Sequence, residues 1–311
     1  MLTMKTFLQL NTIFLSMIME AIPFVLLGVI VSGVIQIFLK EATIARIMPK
    51  NRVLSTLLGC GLGICFPACE CGIVPITNRL LRKGVPLHAG IAFMLTGPII
   101  NPVVLFATYI AFGNDWRMAA IRAGMSIVVA FVAAVVLSFL FPVLPFRTGN
   151  FTSSGSEGLV AATSETPAGE APKIPLRREL MMVMEHAIEE FFSVGKYLII
   201  GAFIAASMQT FLPTSTLLHL GSNPFTASLV MIVLAFVMSL CSEADAFIAS
   251  SFRSTFSTGA LSAFLVFGPM IDIKNTLMLL GVFKGRFVAV LIGLVAICTL
   301  LSSLVVGRLF G

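Results

Sequence analysis

An apolar run from Val53 to Leu81 is long enough to cross a bilayer, yet Cys65-Phe66-Pro67-Ala68-Cys69-Glu70-Cys71-Gly72 interrupts it near its middle. Pro67 excludes one continuous helix, because an interior proline removes a backbone donor and clashes with the preceding turn. Gly72 loosens the far side of the break. In hydrocarbon, the freed backbone groups must face protein or a water-filled cavity, which is where transporters build substrate sites. Three thiols and a carboxylate stand at this break.

The surrounding chain is of the same kind. It is 58% hydrophobic and only 11% charged, which identifies a polytopic, all-α integral membrane protein. The first apolar segment, 13 to 39, is too long for a cleaved leader and is followed by further spans. A net charge of +6 does not indicate nucleic acid here, since the basic residues sit in short loops between apolar segments. Four of the six cysteines fall between Cys60 and Cys71, which argues against a secreted disulfide framework.

About eight hydrophobic segments are legible, roughly 13–39, 53–81, 86–113, 118–141, 187–212, 225–251, 259–280 and 286–307. Residues 148–176 are rich in Ser, Thr, Gly, Ala, Pro and Glu without apolar periodicity, and read as a disordered cytoplasmic linker. They divide the chain into two transmembrane repeats, 1–147 and 177–311. Gly28 precedes Gln36-Ile37-Phe38-Leu39 as Gly201 precedes Gln209-Thr210-Phe211-Leu212. Ala92-Phe93, Gly97-Pro98 and Asn101 recur as Ala263-Phe264, Gly268-Pro269 and Asp272 at nearly the same offset. Two matches in one order make the halves homologous, and they lay Cys69-Glu70-Cys71 near Cys241-Ser242-Glu243-Ala244-Asp245.

Loop charges orient the halves. Lys40, Arg46, Lys50 and Arg52 mark 40–52 as cytoplasmic, while the matching loop 213–224 has no Lys or Arg, the signature of an inverted repeat. Arg79, Arg82 and Lys83 make the far flank of 53–81 basic as well. That favours a re-entrant hairpin with the cysteine motif at its tip; the 12 residues from Val53 to Ile64 rise about 18 Å. Eight full spans with parallel repeats are the alternative, and the inverted arrangement has the disadvantage of placing Arg117, Arg122 and Arg253 outside.

Thiolates select soft species such as zinc, copper(I) or trivalent arsenic, and Cys69 and Cys71 are the candidate metal ligands, with Cys65 and Cys241 beside them. Scattered membrane cysteines are usually inert packing, and Cys60 and Cys298 are read that way. Acids inside apolar segments are costly and mark a pathway or ion site, which singles out Glu70, Glu243, Asp245 and Asp272 for substrate binding and proton exchange. Asn101 joins them as the repeat mate of Asp272, and Glu20 in the first span is either part of that cavity or a packing hydrogen bond. The bland role for Asp272 is a salt bridge to Lys274, two residues on, which a regular helix does not bring together. Pro67, Gly72, Gly97, Pro98, Gly268 and Pro269 are the expected breaks and hinges.

Cys69, Cys71, Gly72 and Pro75, Thr96-Gly97-Pro98 with Asn101-Pro102, and Gly268-Pro269 with Asp272 resemble the predicted-permease family that includes YraQ-type proteins and the organoarsenical efflux permeases. The resemblance spans the chain apart from the linker. It implies a permease of the bacterial inner membrane, not an enzyme, exporting trivalent organoarsenicals or a soft metal, with room for an accessory membrane or lipoprotein-like partner. No Gly-x-x-x-x-Gly-Lys motif is visible, so gradient coupling without a cofactor is expected. A membrane thiol-disulfide oxidoreductase using Cys69 with Cys71 or Cys65 is the rival reading, and a non-transporting scaffold the third. Glu70 between the thiols disfavours the redox role, because it opposes thiolate formation.

Overall fold

A computed structural model describes residues 4–38, 48–49, 51–65, 69–142, 144–146, 176–211 and 223–310; Cys65 is described in its backbone alone, and Pro67 and nearly all of the 148–176 linker lie outside the described residues. Twelve helices follow in order among these residues: α1 (Met4–Phe38), α2 (Arg52–Cys65), α3 (Glu70–Arg82), α4 (Leu87–Thr96), α5 (Pro102–Ala111), α6 (Trp116–Leu140), α7 (Leu176–Phe211), α8 (Pro224–Met238), α9 (Ser242–Ser251), α10 (Thr258–Met270), α11 (Ile273–Val282) and α12 (Gly285–Phe310). The protein is all-α and polytopic. Five stretches are long and apolar enough to cross a bilayer: Met4–Ile35, Trp116–Leu140, Phe191–Phe211, Thr258–Val282 and Gly285–Phe310. Glu185, Glu189 and Glu190 lie well inside α7, which begins at Leu176.

The short helices turn back at mid-depth. α2 and α4 run side by side in the same direction: Gly59 abuts Ala89, and a Cβ on Gly63 would lie 2.9 Å from Thr96 Oγ1. Leu80, near the end of α3, packs with Val85, Ala89 and Met48, which immediately precedes α2. The end of α3 therefore returns to the level at which α2 began, and α2 and α3 form a doubled-back pair of half-helices. On that face Arg52 sits over Phe139 (4.9 Å), Arg82 over Phe146 (4.8 Å), and Lys284 N donates to Pro145 O at 2.9 Å. On the opposite face Arg253 Nη1 donates to Phe112 O at 3.1 Å, and Asp115, Arg117, Thr258 and Phe310 gather around them. Consequently α6 and α12 run in opposite directions, and Arg253, just beyond the end of α9, lies on the face opposite to the mouth of the α2–α3 pair.

Burial follows depth. α4 is buried along its whole length and α10 from Gly259 onward, as their all-round apolar sequences require. α1 and α12 expose Leu15, Leu26, Ile30, Ile297, Leu301 and Val305, the pattern of helices whose outer face meets lipid. α1 packs on α3 and α7, and α7 on α11. Gly28 and Gly72 make the first of these contacts possible: their backbones meet directly, and a Cβ on Gly72 would lie 2.7 Å from Phe24 O.

Candidate functional site

Four helices begin at the centre of the molecule, and their N-caps are Cys69 (α3), Asn101 (α5), Cys241 (α9) and Asp272 (α11). Helix starts present unpaired amides and the positive end of the dipole, so short polar caps belong there. Asn101 Oδ1 accepts from Val103 N at 2.7 Å, Asp272 Oδ1 from Asn275 N at 2.6 Å, and Cys241 Sγ from Ala244 N at 3.3 Å. Cys69 is the exception: it makes no side-chain cap hydrogen bond of this kind, and its thiol lies beside that of Cys71. The Asn101 side chain serves its own helix.

Lys274, on α11, dominates the centre. Its Nζ lies 3.2 Å from Glu70 Oε1 and 3.2 Å from Asp272 Oδ2, and it also donates to Leu240 O; all three side chains are almost wholly buried. The Asp272 contact is an ion pair without hydrogen-bond geometry. It forms because Asp272, as an N-cap, has extended backbone (φ −128°, ψ −179°) and escapes the helical spacing that separates i from i+2. Asp245 is held otherwise, by Ser239 Oγ at 2.5 Å and Leu240 N at 3.1 Å. Gly268 leaves room for that pair, since a Cβ there would lie 3.1 Å from Asp245 Oδ2.

Arg122 is not a solvent-facing charge. Its side chain is fully buried, with Nη1 donating to Thr108 Oγ1 at 2.6 Å and Nη2 to Ser242 O at 2.8 Å. A charge near the start of α6 points into the protein because two acceptors and nearby acids await it there. Leu240 and Ser242, on either side of Cys241, thus give their carbonyls to two buried cations from different helices. Glu70 Oε2, Ser242 Oγ, Arg122 Nε and Asn275 Oδ1 are buried without a hydrogen-bond partner among the described residues.

The structure therefore brings Cys69, Glu70, Cys71, Asp245 and Asp272 to one centre, and sets Cys241 and Glu243 beside Glu20 of α1, with the thiol 3.6 Å from Glu243 Oε2. Gly97 ends α4 against Ile73 of α3, and Pro269 is the penultimate residue of α10. Sequence reading gave Lys274 only as a bland partner and did not find Ser239 or Arg122. A lysine two residues beyond an intramembrane acid, and an arginine at the fifth position of the apolar run 118–141, were the available signals. A cleft of about 670 Å³ between α6 and α12, near Arg117 and Phe310, contains none of the candidates.

Residues 6–308 match the family described as "Predicted permease" (ArsP_1). The chain is 56% identical to the "UPF0718 protein YcgR" of Bacillus subtilis (strain 168) over 306 residues, covering 98% of this chain and 99% of that one. It is 42% identical over 302 residues to a Streptococcus mutans protein named "Putative two-component membrane permease complex subunit", covering 96% and 95%. No solved structure matches. The chain belongs to this permease family, and is a multi-pass membrane protein of it.

Proposed function

We propose that this permease exports a thiophilic metal or metalloid species across the bacterial plasma membrane, with Cys69 and Cys71 as its soft ligands. The observation that supports this most is the contact between the two thiols at the start of α3, one residue either side of the buried Glu70–Lys274 pair. A trivalent organoarsenical R–As(OH)₂ would exchange both hydroxyls for the two sulfurs, forming two As–S bonds and releasing two waters. Nothing in that exchange changes the charge of the centre. Glu70, Asp272 and Asp245 supply the coupling: protonation of Glu70 releases its hold on Lys274 and so loosens the contact between the halves, while protonation of Asp272 or Asp245 frees Lys274 or Ser239 within the second half.

Glu70, Asp245 and Asp272 are buried in this state, so access to them requires movement of one half against the other. The helix order supports an inverted internal repeat: α1 to α6 and α7 to α12 have similar lengths in sequence, 35, 14, 13, 10, 10 and 25 residues against 36, 15, 10, 13, 10 and 26. The name of the Streptococcus relative supports a second subunit as partner.

Everted membrane vesicles test the reading. Accumulation of a trivalent phenylarsenical or of zinc, dependent on a proton gradient and lost in Cys69→Ser/Cys71→Ser, is the expected result. Equal accumulation in wild type and double variant would exclude the thiol pair as the transport site.

A further inference from the structure

We propose that Glu20, Cys241 and Glu243 form a second site, for a divalent cation of the zinc and cobalt class, distinct from the Cys69/Cys71 pair. One ligand atom from each lies within 4.8 Å of the other two, on residues from α1 and from the start of α9. Ligands at about 2.0–2.3 Å around a tetrahedral ion stand about 3.3–3.8 Å apart, and the Cys241 Sγ to Glu243 Oε2 separation of 3.6 Å already falls there.

Packing alone does not account for the set. The Cys241 thiol has a single proton, donated toward Glu243 Oε2 at 3.6 Å, and the Glu20 carboxylate faces the same sulfur. One S–H satisfies one acid, whereas a divalent cation among the three would bind the sulfur and both carboxylates. One sulfur and two oxygens suit a borderline ion better than calcium or magnesium, which take oxygen alone, or copper(I), which prefers sulfur.

The placement repeats that of the thiol pair with different donors. Cys69 and Cys241 are both N-caps at a central break, and Glu243 occupies the position after Cys241 that Cys71 occupies after Cys69. Lys274 at Leu240 O and Arg122 at Ser242 O bracket Cys241 and offset the negative charge of three ionised ligands. Glu20 and Glu243 are only half-buried, which leaves a route in and an open fourth position. Binding displaces the thiol proton. The inference rests on this geometry and not on the substrate assigned to Cys69 and Cys71, so failed arsenical uptake does not bear on it.

Cobalt titration of the full-length protein in detergent provides the test, read by thiolate-to-cobalt charge-transfer absorption. In Cys69→Ser/Cys71→Ser, where the other thiol pair is absent, one equivalent is expected to give the band; adding Cys241→Ser abolishes it, and adding Glu20→Gln weakens binding roughly tenfold or more. X-ray absorption on zinc-loaded Cys69→Ser/Cys71→Ser is expected to show one sulfur with oxygens. No cobalt band in Cys69→Ser/Cys71→Ser, a band there that survives Cys241→Ser, or two sulfurs on its zinc would each overturn the proposal.

Discussion

Lys274 Nζ and Glu70 Oε1 lie 3.2 Å apart across 204 positions of the chain, and this pair ties the first central break to the second. Removing one partner of a buried pair strands the other charge, at about 3–5 kcal/mol. Lys274→Met is expected to cost that much in denaturant unfolding in detergent, since Glu70 and Asp272 both lose their cation. Glu70→Gln/Lys274→Met is expected to recover part of the loss, and a double variant no more stable than Lys274→Met would show that the pair is not coupled.

Arg122 spans two acceptors on different helices, Thr108 and the Ser242 carbonyl. A guanidinium does so with a planar fork that an ammonium lacks. Arg122→Lys is therefore expected to behave more like Arg122→Met than like wild type, in both thermal stability and transport. Full activity in Arg122→Lys would mean that charge alone matters there.

Gly28 and Gly72 meet backbone to backbone, whereas Gly124 has nothing within 4 Å of where its Cβ would be. Gly28→Val and Gly72→Val are expected to force α1 off α3 and lower the yield of folded protein, judged by size-exclusion chromatography. Gly124→Ala is expected to be neutral or slightly stabilising, because alanine is the better helix former.

Two thiols that grip one arsenic act as a chelate. Joining two weak contacts raises affinity by roughly 10²–10⁴, so Cys69→Ser and Cys71→Ser alone should each lose nearly as much phenylarsenical binding as the double variant. Cys60→Ala and Cys298→Ser should lose none. Additive small losses at all four would point to independent surface reaction.

Opposite faces carry Arg286 and Asn114, both exposed, the latter in a tight turn with φ +64°. Arg286→Cys is expected to react with a membrane-impermeant thiol reagent only in everted vesicles, and Asn114→Cys only in intact cells. Labelling of both from one side would refute the inverted arrangement.

The doubled-back segment, the central breaks and most of their acids were legible because apolar run length, proline and misplaced charge are local signals. What escaped reading was long-range. Lys274 looked like a neighbour of Asp272, and nothing local says that it also reaches Glu70. Arg122 looked like one of three basic residues on the outer side, because the acceptors that draw it inward lie on α5 and at the start of α9. Ser239 is an unremarkable residue in sequence, and takes its meaning only from Asp245 six residues later, across a turn.

The distance along the chain between Glu70 and Lys274 has a consequence for how the protein is made. At about 5–20 residues per second, the ribosome delivers the lysine about 10–40 s after the glutamate. For that interval the newborn first half carries an acid in the membrane with no permanent counter-ion, and α3 lacks α11. The centre can be completed only when almost the whole polypeptide has been inserted, which makes it the stage of biogenesis at which a quality-control protease would find this protein most vulnerable.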